Sequence, residues 1–342
     1  MSEPTSDWSE PGPQEVAPGV HRIPLPLPND GLRAVNVYAI ADGEDVVLID
    51  SGWATDESHR QLAGALDRIG YGLEHVSQFL ITHSHADHYT QAVRIRREHA
   101  TPISVGEGER TTLEWITPER VRRPFSQFAQ LHRAGADDVV AELEALPPNT
   151  EVDENTWALP DHWLSGCPTI TLRTRTLRAI PTPGHTRGHY VFWDADAGLL
   201  FAGDHVLPHI TPSIGFEAVP DASPLADYLT SLLLVRTMPD ARLLPAHGPV
   251  GMNVHERVDE LLDHHATRLD LTLTAVAKGA STSREAAERL GWTRRGRAFA
   301  EMDVFNRMLA TLETAAHLDV LAERGLLSVT DDADGVRRYS PS

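Results

Sequence analysis

The sequence predicts a mixed α/β fold that ends in a smaller, mostly helical module. Three observations lead there. Short apolar strands alternate with helical stretches from residue 19 to about residue 251. One of those strands, ending at Thr82, runs straight into a cluster of imidazoles and a carboxylate. Beyond residue 251 the alternation stops, and three helical stretches are followed by a hairpin signal.

The 342 residues suffice for one large core, or for a large domain and a small one. Hydrophobic residues make up 41%, a globular composition. No apolar run reaches the roughly 18 residues of a membrane helix. Residues 1–18 are rich in Pro, Ser and Glu, without a basic start or an apolar stretch, so they read as a disordered tail and not as a secretory signal. Cys167 is the only cysteine, which excludes an internal disulfide. With no signal, that points to the cytoplasm, and Cys167 reads as an inert packed thiol. The formal net charge of -19 argues against binding to nucleic acid or anionic membrane through the overall field.

Taken in order, residues 35–40 and 46–49 read as strands around the turn Asp42-Gly43. Residues 59–69 have helical periodicity, with Leu62, Leu66 and Ile69 on one face. Residues 76–82 form an apolar strand, and a helix begins near Asp87. Residues 106–165 read as an inserted, mainly helical and polar segment carrying Trp115, Phe125, Phe128, Trp157 and Trp163. It is either a lid over a pocket or a structural excursion whose aromatics are core. One or two strands lie in 170–180, and two more at 190–193 and 199–202 flank turn residues. Residues 225–235 suit a helix and 242–245 a short buried strand. Helices interleaved with strands suggest sheets with helices on their outer faces.

After residue 251 come a long helix, 254–277, a short one, 283–290, capped by Thr282 or Ser283, and a third, 298–324. Residues 326–339 then read as two strands around Asp332-Ala333-Asp334-Gly335. This order suggests a winged-helix-like module over 253–342. Residues 281–342 carry nine Arg and ten Asp or Glu, and Arg294, Arg295 and Arg297 make only a short cluster. Nucleic-acid modules show a clear basic face, so packing or a homodimer is the better reading of this module.

The chemistry sits in Thr82-His83-Ser84-His85-Ala86-Asp87-His88. His83 and His85 are two apart and project to one side of an extended segment. Asp87 and His88 start a helix and can address a second point. Imidazole and carboxylate are ligands for zinc, iron or manganese. A surface loop would not gather this density of imidazole at the end of a buried strand.

These residues resemble the metallo-β-lactamase superfamily, in particular its glyoxalase II-like and lactonase-like hydrolases. The signature His-x-His-x-Asp-His is complete at His83–His88. Asp50 in Asp50-Ser51-Gly52, His185 in Pro183-Gly184-His185, Asp204 in Ala202-Gly203-Asp204 and His247 in Pro245-Ala246-His247-Gly248 follow in the family's order. The resemblance covers residues 19–252 and implies a four-layer αββα sandwich. It implies that His83, His85 and His185 bind one metal ion and Asp87, His88 and His247 a second, with Asp204 bridging them. It leaves Asp50 a supporting role behind a ligand or at a helix N-cap. His189 reads as supporting too, because the ligand places are filled. Asp87, Asp204 and His205 are the candidate catalytic residues, with His205 contacting substrate or giving a proton to the leaving group, or else simply structural. Two divalent ions, zinc before iron or manganese, would share a water whose pKa falls toward about 7 and whose hydroxide attacks a carbonyl carbon.

Three features refine the expectation. Asp204 stands where some lactam-cleaving branches have Cys, which favours the bridged dinuclear class over an antibiotic-degrading enzyme. Tyr89-Thr90-Gln91 replaces small residues common in glyoxalase II-like members, which suggests an altered substrate side. His99, His132, His264, His265 and His317 fall on polar or helical stretches and read as solvated. The expected activity is hydrolysis of a thioester of the hydroxyacyl-thiol or acyl-CoA type. Lactone or ester hydrolysis is the alternative, and a nuclease with a C-terminal winged helix is the more distant one. The intact ligand set argues against a non-catalytic binding protein.

Overall fold

Parallel strands need a long crossover, usually a helix, whereas antiparallel neighbours need only a turn. The chain uses both. A computed structural model describes residues 7–28, 31–116, 127–147, 156–292 and 296–342. Its first strands are β1 (Gln14–Ala17), β2 (Val20–Pro26), β3 (Ala34–Asp42) and β4 (Asp45–Ile49), an antiparallel meander. Helix α1 (Asp56–Arg68) then returns the chain to β5 (Val76–Leu80), parallel to β4, and α2 (Ala86–His99) returns it to β6 (Ile103–Gly106). Helix α3 (Arg110–Trp115) follows, and β7 (His162–Leu164) completes a seven-stranded sheet in sequence order.

Between β6 and β7 the described chain also forms α4 (Phe128–Arg133) and α5 (Asp137–Glu144). The second sheet has β8 (Thr169–Thr171), β9 (Thr176–Pro181), β10 (Tyr190–Asp194) and β11 (Leu199–Gly203) as an antiparallel meander. Helix α6 (Pro224–Thr237) leads to β12 (Arg242–Pro245), parallel to β11. The two sheets share one apolar core. Tyr38, Ile40, Val47 and Ile49 from the first meet Leu177, Phe192 and Phe201 from the second, and Tyr38 and Phe201 are edge-to-face at 5.3 Å. Buried residues of α1 and α2, such as Leu62, Leu66 and Val93, are not part of that layer, so these helices cover the first sheet's other face. The αββα sandwich is present.

The remaining elements are α7 (Val254–Ala277), α8 (Ser283–Glu288), α9 (Val304–Glu323) and the hairpin β13 (Leu327–Asp331) with β14 (Arg337–Pro341). Thr282 caps α8, accepting from the Glu285 N–H. The expected helix over 298–324 is broken. A 3-10 turn at Phe299–Glu301 precedes α9, and Asp303 caps the new start by accepting from the Asn306 N–H.

The chain divides into two compact units. The first comprises the described residues of Met1–Glu114, Asp153–Pro212 and Ser231–Val258, the second those of Trp115–Val152, Ser213–Thr230 and Asp259–Ser342. The division therefore differs from a cut after residue 252, and it splits the segment 106–165. Leu131, Val139 and Leu143 of α4 and α5 are buried in one cluster with Ala287, Phe299 and Met308. Each such large side chain contributes about 1.5–3 kcal/mol by leaving water.

Four expectations are corrected here. Residues 14–17 are not a disordered tail; they form an edge strand because their backbone pairs with β2 at Gln14↔Arg22 and Glu15↔His21. Cys167 is exposed, not packed. His265 and His317 are not solvated: both rings are buried, and His265 Nδ1 faces His317 Nε2 at 3.2 Å while His317 Nδ1–H donates to the Glu313 carbonyl at 2.7 Å. Tyr89, Thr90 and Gln91 are all buried, with Tyr89 donating to the Ala158 carbonyl, so they shape the interior of the unit. Phe125, Arg294 and Arg295 lie outside the described residues.

The histidine pair has a measurable consequence. Burial, helped by the neighbouring imidazole, pushes His265 down to about 2, and burial pushes His317 down to about 4. Both stay neutral in the folded protein and gain a proton near pH 6.5 when it unfolds. Stability is therefore full above pH 6.5 and is lost as the pH falls toward 4, by about 1.4 kcal/mol per pH unit for each ring. Denaturant unfolding between pH 7 and pH 5 should show this slope, and His265→Gln should make it shallower. An unchanged slope in the variant would contradict the assignment.

Candidate active site

The carboxyl ends of parallel strands in an open α/β sheet are where side chains can converge on a ligand. Here β4 leads into Asp50, β5 into His83–His88, β11 into Asp204 and β12 into His247. The turn after β9 carries His185, and His189 immediately precedes β10. Backbone bonds hold these ends together. Tyr190 N–H donates to the Thr82 carbonyl at 2.8 Å, and Ala246 N–H to the Gly203 carbonyl at 3.1 Å. Gly203 has φ +51, and a Cβ there would stand 2.7 Å from both His189 Nε2 and Thr82 Cβ. Only glycine lets the strand end pass that close.

Two groups of side chains result. His83, His85, His185 and Asp204 form one, and Asp87, His88 and His247 the other, each with ligand atoms within 4.8 Å of one another. In the first, His83 Nε2 and His185 Nε2 each stand 3.0 Å from His85 Nδ1, and His185 Nε2 is 3.4 Å from Asp204 Oδ2. In the second, His247 Nε2 is 3.4 Å from Asp87 Oδ2, and His88 Nε2 is 3.5 Å from the same oxygen. Asp204 Oδ1 lies 3.3 Å from His247 Nε2 and 3.7 Å from His88 Nε2. Nitrogen and oxygen ligands of a tetrahedral ion, each about 2.0–2.1 Å from it, stand about 3.4 Å apart.

The polar atoms in the centre confirm the fit. His88 Nε2, His247 Nε2 and Asp204 Oδ1 are buried and make no hydrogen bond. Buried polar atoms are costly to leave without a partner. Their outer atoms are, by contrast, fully engaged. His88 Nδ1–H donates to Asp50 Oδ2 at 2.9 Å, and His247 Nδ1–H to the Ala34 carbonyl at 2.8 Å. Thr82 Oγ1 lies 3.0 Å from His83 Nδ1 and bonds to the Asp50 carboxylate. These bonds place the ring protons on Nδ1 and leave the Nε2 lone pairs pointing inward, the arrangement of metal-ligating histidines. The residues fit a divalent cation.

Electrostatics agree. Burial, reinforced by neighbouring imidazoles, holds His83 well below the ordinary histidine range and brings His85 to about 3. Their nitrogens are neutral donors. In the second group burial also opposes charge on His88, but the Asp87, Asp50 and Asp204 carboxylates outweigh it and carry His88 up to about 10. His247 is raised against burial by Asp204 and Asp87. The carboxylates thus create a strong preference for positive charge at the centre of the second group, met by a proton on Nε2 in the metal-free protein and by the cation where one is bound.

The supporting residues are now placed. Asp50 does not cap α1, whose N-cap is Thr55. It receives the Thr82 N–H at 2.8 Å and the His88 ring, and it holds φ +60, a conformation uncommon outside glycine. His189 Nδ1 bonds with Thr182 Oγ1 at 2.9 Å, and its Nε2 accepts the Asp204 N–H at 3.2 Å, which orients the carboxylate shared by the two groups. His205 is corrected. Its ring is fully buried and lies outside both groups, and burial pushes it down to about 3. Burial away from both ligand groups favours the structural alternative for His205 over contact with substrate. The sequence reading missed Glu109, fully buried and bonded to Ser84 and Thr186, beside His83, His85 and His185. Its setting in Glu107-Gly108-Glu109 looks like an ordinary polar turn.

Residues 30–247 match the family model described as the metallo-beta-lactamase superfamily. The chain belongs to that superfamily. It is 26% identical over 238 residues to the Beta-lactamase-like protein 2 homolog of Caenorhabditis elegans, covering 69% of this chain and 63% of that protein's length. The chain therefore spans under two thirds of that relative. With the Probable metallo-hydrolase YqjP of Bacillus subtilis the identity is 24% over 319 residues, covering 90% of this chain and 93% of the relative. Two crystal structures are similar at 26% identity. A beta-lactamase domain protein from Burkholderia ambifaria gives a TM-score of 0.79 over 96% of this chain and 94% of its own. A metallo-beta-lactamase family protein from Thermus thermophilus gives 0.71 over 96% and 100%. The chain thus has the superfamily's fold over residues 30–247 and, within it, two His/Asp groups that could hold a metal ion.

Replacing Asp50 with Asn removes one of its acceptor oxygens. Either the Thr82 N–H or the His88 ring proton then faces an amide NH2. Such changes behind a ligand cost about 10–100-fold in metal affinity. Competition against a chromophoric chelator should show that loss in Asp50→Asn. Wild-type affinity would mean that Asp50 does not set the His88 tautomer.

Proposed function

We propose that the protein is a dinuclear zinc hydrolase that cleaves a small thioester of the hydroxyacyl-thiol or acyl-CoA type. One observation carries the dinuclear reading. The two oxygens of Asp204 face different ligand groups, Oδ2 toward His185 and Oδ1 toward His88 and His247. A carboxylate so placed reaches both groups, which supports two metal ions sharing it.

On this reading His83, His85 and His185 hold one ion, Asp87, His88 and His247 the other, and Asp204 both. Bound divalent ions supply Lewis acidity and lower the pKa of a coordinated water toward about 7. The protein's own contribution is placement. Asp50 and Ala34 keep the Nε2 lone pairs of His88 and His247 inward, and His189 fixes the Asp204 backbone. Water adds its oxygen to the acyl carbon, the carbon–sulfur bond breaks, and the thiol leaves with a proton. Asp87, partly exposed beside His247, is the carboxylate placed to relay that proton. Asp204 in place of a cysteine ligand supports this class over lactam cleavage. The same geometry serves a lactone or ester, so substrate preference rests on turnover.

The test is a panel of acyl thioesters, homoserine lactones and single-stranded RNA, with protein before and after chelation. Chelator-sensitive thioester cleavage by protein holding two metal equivalents is the expected result. Asp204→Ala should lower turnover by at least about 100-fold and reduce the bound metal. Cleavage of lactones alone would replace the thioester assignment, cleavage of RNA alone would make the protein a nuclease, and absence of bound metal would defeat the reading.

A further inference from the structure

Glu109 is a buried carboxylate that the chemistry above does not use. It lies in a 3-10 turn, Glu107–Glu109, immediately after β6, and is fully buried. A carboxylate moved out of water needs its acceptor positions filled by donors. Glu109 fills them from two different loops. Ser84 Oγ donates to Oε2 and Thr186 Oγ1 donates to Oε1, and the backbone N–H groups of Ser84 and Gly188 bond to it as well. Ser84 sits between His83 and His85, and Thr186 directly follows His185. One side chain therefore joins the three histidines of the first group.

The backbone around it shows that this contact is built in. A Cβ on Gly106 would stand 2.0 Å from the Gly188 carbonyl oxygen, and one on Gly188 would stand 2.3 Å from the Glu109 backbone nitrogen. Backbone lies against backbone there, with no room for a side chain, so the carboxylate is delivered between the loops at fixed depth. Charge-assisted bonds of this kind are stronger than neutral ones and hold their donors in direction as well as distance.

We infer that Glu109 is a positioning residue for the first metal: it clamps the His83–His85 loop to the His185 loop so that their three nitrogens converge on one ion. This rests on the metal-binding reading of the site. It is a role in placement, since Glu109 touches the residues beside the ligands and not the ligands themselves. Gln at this position keeps the size but presents an amide NH2 to one pair of donors, which lets one loop swing.

The experiment is chelator competition on the full-length protein, with metal content measured in parallel and thermal unfolding of the metal-free form as control. Glu109→Gln should weaken one of the metal equivalents by about 10–100-fold and leave the other near its wild-type affinity. Glu109→Asp should restore part of it. If Glu109→Gln does not fold, the pair Ser84→Ala and Thr186→Val, which removes the two hydroxyl donors while keeping the carboxylate, decides. Selective loss of one equivalent in that pair supports the clamp. Wild-type affinity for both equivalents in a folded variant overturns it, as does equal weakening of both. Wild-type protein that binds no metal would instead overturn the metallo-hydrolase reading itself, so the two failures are distinct.

Discussion

The rest of the site depends on one bond, from the His88 ring to Asp50. It occupies Nδ1, so Nε2 is the ring atom that faces the interior, where it has no hydrogen-bond partner. Asp50 can do this only because its own backbone is held in a left-handed conformation at the end of β4 and its other oxygen is engaged by Thr82. Thr82 in turn lies against His83. Tautomer, strand end and ligand direction are thus one coupled network. Low local polarity makes such a network strong when satisfied and costly when broken.

Much of this was legible in the sequence because chemistry and position coincided. His83, His85, Asp87 and His88 lie within six residues, and a short spacing constrains geometry strongly. Asp50, His185, Asp204 and His247 were legible through their order and their flanking glycines and prolines. Structure brings all of them together, and His189 beside them. Glu109 was not legible, because its partners lie 25 and 77 residues away and nothing in Glu-Gly-Glu announces burial. His205 misled for the opposite reason. Adjacency to Asp204 in sequence suggested a shared role, but a strand end turns successive side chains in different directions.

Elements were legible where apolar periodicity was strong. β12 and α7 fall at the expected residues, 242–245 and 254–277. β1 was hidden because an edge strand needs only backbone pairing, and Val16 is its one large buried apolar residue. The buried pair His265 and His317 was hidden because polar side chains on a helix read as solvated unless their partner is known. Their partner lies on another helix 52 residues away. In the same way α4 and α5 looked like an insertion in the catalytic unit, whereas their apolar side chains find their core beside Phe299 and Met308.

The stitch between β3 and the His247 turn bears on how the site comes into being. Asn36 donates to the carbonyls of Pro245 and Gly248 at 2.9 Å, and Tyr38 donates to that of Pro245 at 2.8 Å, across 207–212 residues of chain. Contacts so distant form only after a large loss of chain entropy. The His83–His88 segment can take its local shape early, but His247 arrives only when both sheets have closed on each other. The second ligand group is therefore completed by folding and not before it. A nascent or partly opened chain offers an ion an incomplete set of donors, and full coordination comes only with the closed sandwich.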